Sequence, residues 1–165
     1  MTDTMIYGIR QATTSDAAII AHHRVAMFQD MGEVPTAALS TQLLLTSTAA
    51  LTALFREGSY VGWLAIDAGE RVIAGAGAQI KSQLPRIAHD GVRVAVMPVA
   101  LVLNVYTEPA WRKKGIARAL MQRIMGWATT EGIDRVLLHA SDAGRPLYQS
   151  LGFVATNEMR WFPTR

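Results

Sequence analysis

The sequence predicts an α+β fold in which helices flank a mixed β-sheet. Some segments repeat apolar residues at helical spacing, whereas others are short runs of β-branched and aromatic residues bounded by glycine or proline, as is typical of strands. These segments follow one another in the order β-α-α-β-β-β-α-β-α-β. The chain has 165 residues and 50% of them are hydrophobic, which suits a folded core. We therefore expect residues 1–165 to form a single domain.

The first part of the chain predicts one strand followed by helices. The run Met5–Arg10 is a short strand. Thr13 and Asp16 match a capping box with aspartate in place of glutamate, and Gly32 marks the end of the helix that follows. The next stretch is rich in leucine and predicts one or two further helices. Its leucines are Leu39, Leu43, Leu44, Leu51 and Leu54.

The middle of the chain predicts three strands and one excursion. Tyr60–Ile66 and Arg71–Ile80 have strand composition, and residues 67–70 between them form a hairpin turn. Lys81–Pro98 is polar and contains two prolines, so we expect an irregular segment there. Val99–Thr107 is apolar and β-branched, which predicts a buried central strand.

The last part predicts two helices and two strands. A helix spans Gly115–Thr130, and a strand follows over Arg135–Ala140. Gly144–Ser150 is a short helix that starts near Pro146, because proline is favoured in the first turn. We expect a last strand over Phe153–Met159.

The turn between the central strand and its helix predicts an anion site. The first N–H groups of a helix have no intrahelical partner, and the helix dipole places partial positive charge there. Gly115 allows a ligand to approach closely because it has no Cβ atom. Formal positive charge surrounds these amides, from Arg112, Lys113, Lys114 and Arg118. The simplest ligand for such a turn is a pyrophosphate.

This turn and its surroundings resemble the GNAT superfamily of N-acetyltransferases. R-K-K-G-I-A matches the family's R/Q-x-x-G-x-G/A signature, with Ala117 where many members have glycine. The blocks R-V-L-L-H-A-S and P-L-Y-Q-S-L-G-F further along resemble the family's closing strand and helix. The resemblance is close over the C-terminal half and rests on layout in the N-terminal half. It implies a mostly antiparallel, splayed sheet, open between the Val99–Thr107 and Arg135–Ala140 strands.

The resemblance also implies a cofactor and site residues. Acetyl-CoA would be the co-substrate, with its pyrophosphate on the turn and its pantetheine amides on the backbone of the central strand. Tyr148 stands where the family often places the tyrosine that protonates the departing thiolate. A backbone N–H near Val105 would polarise the thioester carbonyl. The expected cofactor-binding residues are Val105, Tyr106, Thr107, Arg112, Lys113, Lys114, Gly115, Ile116 and Ala117.

The general base stays open at this point. The central strand contains no carboxylate, and Asn104 carries its only side-chain amide, which cannot act as a base. A water chain is one alternative, and the candidate side chains are Asp30, Glu33, His89, Glu108 and His139. His22 and His23 are adjacent on a helix and point apart, which argues against a shared metal. We expect no metal.

Two further sequence features bear on function. The G-x-G at Gly75 and Gly77 lacks the third glycine of a dinucleotide fingerprint because Ile80 stands there, so we interpret both as strand glycines beside a ligand or a bulge. The chain has no cysteine, which excludes disulfides, cysteine-bound metal and a thiol nucleophile. Acetyl transfer would therefore proceed by direct attack of the amine.

The expected function is acetyl transfer to a primary amine, on a small-molecule or peptide acceptor. The alternative is a non-catalytic acyl-CoA-binding or sensing domain on the same fold. A net charge of +3 also admits a nucleic-acid partner, but the arginines and lysines outside the turn are scattered, so we expect none. No apolar run approaches the roughly 20 residues of a membrane span, and no signal peptide is recognisable. We expect a cytoplasmic protein, and a homodimer is an open alternative.

Overall fold

The computed structural model describes residues 6–163 and contains seven strands and four α-helices in that range. Met5, the predicted start of the first strand, lies outside the described residues. The strands are β1 (Tyr7–Gln11), β2 (Tyr60–Asp67), β3 (Val72–Lys81), β4 (Arg86–Ile87), β5 (Val94–Ala95), β6 (Val99–Thr107) and β7 (Val136–Leu137). The helices are α1 (Ala17–Asp30), α2 (Ala37–Arg56), α3 (Ile116–Thr130) and α4 (Arg145–Ser150).

Five strands form one sheet in the order β1-β2-β3-β6-β7. All neighbours are antiparallel except β6 and β7, which are parallel. The predicted mixed, mostly antiparallel α+β fold is therefore confirmed. The parallel contact is short, because only Ala100 and Leu101 of β6 pair with β7. Beyond Leu101, residues 102–107 have no strand partner on that side within the described part of the chain, so the sheet is open there.

The two faces of the sheet are covered by different helices. Side chains alternate along β2, so Tyr60 and Leu64 pack in the layer of α1 and α2, whereas Val61 and Ala65 pack in the layer of α3. Helix α3 buries one stripe at helical spacing, formed by Ile116, Leu120, Met121 and Ile124, each at most 1% exposed. Burial of such a side chain stabilises the fold by roughly 1.5–3 kcal/mol. This stripe holds the N-terminus of α3 beside the end of β6.

Helix α2 is one continuous helix of 20 residues, so the leucine-rich stretch forms one helix rather than two. Its threonines do not interrupt it, and the hydroxyls of Thr48 and Thr52 each donate to a carbonyl one turn earlier at 2.8 Å. By length and composition this helix is apolar enough to cross a membrane, which corrects the sequence-based statement about apolar runs. One face of α2 packs against α1 and β2.

The excursion over Lys81–Pro98 contains regular structure, so the prediction of an irregular segment is wrong in part. Strands β4 and β5 pair as a separate two-stranded sheet, joined by a turn in which Gly91 has φ +72°. Arg86 anchors this hairpin, because its guanidinium pairs with Asp134 and donates to the carbonyl of Met97 at 2.9 Å. The sequence showed the Asp90–Gly91 turn signal but not the distant carboxylate.

The C-terminal strand prediction is wrong, and β7 is shorter than predicted. Residues 153–159 form no strand, and Val154 and Met159 are 81% and 93% exposed. Strand β7 ends at Leu137 rather than at residue 140. The tail meets the chain after β7 through a side-chain pair, His139 Nε2 to Glu158 Oε1 at 2.8 Å, rather than through a backbone ladder. No strand of the described chain pairs with this tail, and the composition of a segment does not reveal whether a partner edge is in reach.

The two strand glycines of β3 make room for side chains of β2. A Cβ atom at Gly77 would lie 2.0 Å from Tyr60 Oη, and one at Gly75 would lie 2.9 Å from Leu64 Cδ2. Both partners are buried. The glycines also flank a bulge, since Gly75 pairs with Tyr106 whereas Gly77 pairs with Leu103 in β6. Their interpretation as strand glycines beside a bulge is confirmed.

We predict that Gly77→Ala destabilises the protein, because the new methyl group overlaps the phenol of Tyr60. The free energy of unfolding should fall by at least about 1–3 kcal/mol in urea denaturation. Gly8→Ala in β1 is the matched control, since nothing lies within 4 Å of its new methyl group. Equal stabilities of the two variants would contradict this packing.

Candidate active site

A cavity of about 1030 Å³ lies at the open edge of the sheet. Its walls come from α1, from residues 102–107 of β6, from residues 138–141 after β7, and from α4. The cavity thus occupies the gap left where β7 ends and β6 continues. Six of the predicted site residues line it, namely Val105, Tyr106, Thr107, Arg112, Ala117 and Tyr148.

The remaining predicted residues lie in the turn before α3 and at the first residue of that helix. Lys113, Lys114 and Gly115 are exposed and do not line the cavity. Ile116 is 1% exposed, so its side chain belongs to the core and only its backbone N–H is available to a ligand. The structure therefore separates the predicted set into a cavity group and a surface turn.

A β-bulge interrupts β6 where it faces the cavity. Two residues, Asn104 and Val105, lie opposite the single residue Ala76 of β3. Asn104 adopts the left-handed backbone conformation with φ +59°, which residues other than glycine and asparagine rarely adopt. Because a bulge bends its strand and leaves one residue unpaired, the backbone after Asn104 is turned relative to a regular strand.

A side-chain network holds Asn104 in this conformation. Arg24 Nη1 donates to Asn104 Oδ1 at 2.7 Å, and Asn104 Nδ2 donates to Tyr60 Oη at 3.2 Å. Burial raises the pKa of Tyr60 to about 12, so its hydroxyl is protonated at neutral pH. Sequence analysis missed this network. The one available signal was an asparagine within an apolar strand, since asparagine tolerates the left-handed region.

The open edge of β6 offers backbone groups to an extended ligand. An exposed strand edge binds a chain that carries amides by adding it as one more strand. Residues 102–107 line the cavity, and β7 does not cover them within residues 6–163. This arrangement fits the two amides of a pantetheine arm.

The turn before α3 has the backbone shape that an anion site needs. Gly115 is the N-cap of α3 with φ +77°, and Lys113 has φ +62°. Nothing lies within 4 Å of a Cβ atom built at Gly115, so a ligand can approach its backbone. By helix geometry the N–H groups at the start of α3 lack intrahelical acceptors. Lys114 Nζ lies 4.8 Å from the ring centre of Trp111, which holds its charge beside the turn.

Arg112, which precedes this turn, contacts both α1 and β6. Its guanidinium pairs with Asp30 at the end of α1, and its Nε donates to the carbonyl of Thr107 at 2.9 Å. It also lies over the ring of Tyr106 at 5.6 Å. Arg112 thus ties the end of β6 to the end of α1, a tie that sequence analysis did not predict.

Tyr148 projects from α4 as a wall of the cavity. Its ring packs edge-on against Phe153 with 6.0 Å between centroids. Burial raises the pKa of Tyr148 above its ordinary value, and within residues 6–163 its hydroxyl has no hydrogen-bond partner. A protonated hydroxyl with an unused hydrogen can donate to a group inside the cavity.

Three of the candidate bases line the cavity, and two of them have ionic partners. Asp30 is paired with Arg112, and His139 is paired with Glu158. Glu33 also lines the cavity and forms no salt bridge within the described residues. Glu33 is therefore the lining carboxylate that has no ionic partner among the described residues.

The other candidates lie away from the cavity. His89 is exposed on the excursion between β3 and β6 and does not line the cavity. Glu108 follows β6, with its Oε1 at 3.7 Å from His23 Nε2. His23 is buried, and burial lowers its pKa, so the ring is neutral at pH 7. Across residues 6–163, no three His, Asp or Glu side chains gather as a metal site.

An open strand edge that leads to a helix N-terminus is the arrangement expected of a class of proteins that bind an acyl-CoA-like ligand. Comparison with known families gives the particular family. Residues 58–155 match the family model described as an acetyltransferase (GNAT) domain. Since this match spans more than half of the chain, the protein belongs to the GNAT acetyltransferase family.

Individual relatives agree with this assignment. The chain is 25% identical over 164 residues to aminoglycoside N(6')-acetyltransferase type 1 of Stenotrophomonas maltophilia, covering 93% of this chain and 90% of that protein. A GCN5-related N-acetyltransferase from Ralstonia eutropha JMP134 matches with a TM-score of 0.82 and 29% identity, over 95% of this chain and 98% of that one. A predicted acetyltransferase with acetyl-CoA from Clostridium acetobutylicum matches with a TM-score of 0.80 and 25% identity, over 95% and 96%.

We predict that Asn104→Ala destabilises the protein more than Asn104→Gly. Both changes remove the hydrogen bonds with Arg24 and Tyr60, but only alanine is strained at φ +59°. In urea denaturation, the free energy of unfolding of the alanine variant should be about 1 kcal/mol lower than that of the glycine variant. An alanine variant more stable than the glycine variant would show that the bulge is not left-handed in solution.

Proposed function

We propose that this protein transfers the acetyl group of acetyl-CoA to a primary amine of a small molecule, with residues 1–165 acting as one N-acetyltransferase domain. The observation that carries the proposal is the meeting of three features at one cavity. These are the bulge at Asn104, the open edge of β6 and the phenol of Tyr148. Family membership supports the reaction class.

In this proposal the cofactor is held by backbone groups more than by side chains. The N–H groups of Gly115, Ile116 and Ala117 bind the pyrophosphate, and Lys113 and Lys114 add positive charge beside it. The backbone of Val105, Tyr106 and Thr107 binds the pantetheine amides as an added strand would. Arg112 contributes by fixing the end of β6 to α1 rather than as a free phosphate ligand.

When bound, acetyl-CoA supplies a thioester that an amine attacks directly, since the chain has no cysteine to form an acyl intermediate. The attacking nitrogen gives up its proton to Glu33, the lining carboxylate without an ionic partner among the described residues, or to water. A backbone N–H near Val105, turned by the bulge, donates to the thioester carbonyl oxygen, where negative charge develops. Tyr148 donates its proton to the departing sulfur.

The acceptor class follows from the cavity and the relatives. The name of the Stenotrophomonas maltophilia relative describes acetylation of an amine on a small molecule, and we propose the same class of acceptor here. A peptide amine is the second acceptor form that fits an open cavity. We further propose that the protein is cytoplasmic and acts without nucleic acid, membrane or metal. A homodimer stays a prediction.

Thiol release from acetyl-CoA, measured with a panel of primary amines, tests the proposal. Thiol release should be faster with an acceptor amine than without any amine. Mass spectrometry should show one added acetyl group on the amine. Tight coenzyme A binding in calorimetry with no turnover on any amine would instead support the non-catalytic acyl-CoA-binding alternative.

We predict that Tyr148→Phe lowers kcat by about 10²-fold while acetyl-CoA affinity changes little, because the ring stays and only the proton is lost. Since burial raises the pKa of Tyr148, any loss of kcat from ionisation of this group in the parent should begin at a higher pH than for an ordinary tyrosine. Tyr7→Phe in β1, which does not line the cavity, is the matched control. Parent-like turnover of Tyr148→Phe would remove this residue from the mechanism.

A further inference from the structure

We infer that Arg24 binds an anionic group of the acceptor, so that the preferred acceptor is an amine that also carries a carboxylate, as an amino acid does. This inference rests on the proposed function and specifies its substrate class. It starts from a cation of the cavity wall that no carboxylate of the described chain neutralises.

Arg24 lies on α1 and faces the cavity beside the bulge. It is half-buried, and its Nη1 donates to Asn104 Oδ1 at 2.7 Å. Its guanidinium carbon also lies 4.8 Å from the centre of the Phe28 ring. The side chain is thereby fixed at the part of β6 where the proposed reaction takes place.

Arg24 differs from the other two arginines of the cavity because, in the described part of the chain, they are paired with carboxylates and it is not. Arg112 is paired with Asp30, and Arg160 is paired with Glu158. Within residues 6–163, no carboxylate oxygen lies within 4 Å of the Arg24 guanidinium. Burial lowers the pKa of Arg24, but an arginine keeps its charge at neutral pH. A half-buried cation without a counter-ion gains stability when a ligand supplies one.

The geometry of a guanidinium matches a carboxylate. It carries five N–H donors, and Asn104 accepts from one nitrogen only. The planar fork binds both oxygens of a carboxylate in a bidentate contact, which is stronger than a neutral hydrogen bond. Arg24 thus has donors to spare for an anion in the cavity.

The anion has to come from the acceptor rather than from the cofactor. In the proposed binding mode the cofactor phosphates lie at Gly115, beyond the end of β6, and the pantetheine arm along β6 is neutral. Arg24 instead belongs to α1, which forms a different wall of the cavity. Along α1, Asp30 lies six residues further on, or about 9 Å at 1.5 Å per residue. An acceptor with its carboxylate near the bulge and a polar or cationic group towards Asp30 and Glu33 would match this order of charges.

Matched acceptor pairs test the inference with the intact protein. Each L-amino acid is compared with its carboxamide, which keeps the side chain and amine but loses the negative charge. The carboxamide has the less basic amine and offers more free base, so intrinsic reactivity favours it. We expect the amino acid to show a kcat/KM at least about ten-fold higher, the scale of one charge-assisted contact. Kanamycin, a polycation, should be the poorer acceptor.

Arg24→Gln should remove this preference. The kcat/KM for the carboxamide should fall because the hydrogen bond to Asn104 is lost, and that for the amino acid should fall about ten-fold further, mainly through KM. Arg123→Gln, on the exposed side of α3, is the matched control and should keep the parent preference.

Two results would overturn the inference while leaving the proposed function intact. One is equal kcat/KM for amino acids and carboxamides in the parent protein. The other is an equal loss on both acceptors in Arg24→Gln, which would show that Arg24 only positions Asn104. Absence of transfer to every amine, with coenzyme A still bound, would overturn the proposed function and this inference with it.

Discussion

The left-handed conformation of Asn104 is the constraint on which the site depends. It places the bulge in β6 at the cavity and is held by hydrogen bonds from Arg24 and to Tyr60. Tyr60 reaches Asn104 because Gly77 leaves room for its ring, so a strand glycine of β3 supports a bulge in its neighbour. The network joins α1, β2 and β6, which are distant in sequence. Packing of α1 on the sheet and the shape of the reaction site are therefore set by the same contacts.

The second determinant is the early end of the pairing between β6 and β7. Because β7 pairs only with Ala100 and Leu101, residues 102–107 of β6 present an edge to the cavity that no strand of the described chain covers. That edge leads to the N-terminus of α3, which the buried stripe of Ile116, Leu120 and Ile124 fixes against the sheet. One strand thus aligns the turn proposed to bind the pyrophosphate, the free edge and the bulge. Arg112 keeps the end of this strand attached to α1.

Local patterns made much of this predictable from the sequence. The glycine before a helical apolar stripe predicted the turn at Gly115, and the composition of residues 99–107 predicted β6. Contacts between distant residues were not predictable, such as Arg24 with Asn104, 80 positions apart, or Arg86 with Asp134. The strand expected over residues 153–159 failed because periodicity does not reveal whether a partner edge is in reach. Tyr148 was identified by resemblance, whereas only the structure shows that Arg24 shares its cavity.

Hydrogen exchange of individual backbone amides, with and without coenzyme A, tests most directly whether the open edge of β6 binds the cofactor. The account predicts slower exchange with coenzyme A at amides of residues 105–107 that face away from β3, and at residues 116–118 at the start of α3. Residues 63–66 of β2, already paired with β1 and β3, should be unchanged. Coenzyme A binding that leaves the amides of β6 unaffected would contradict the account.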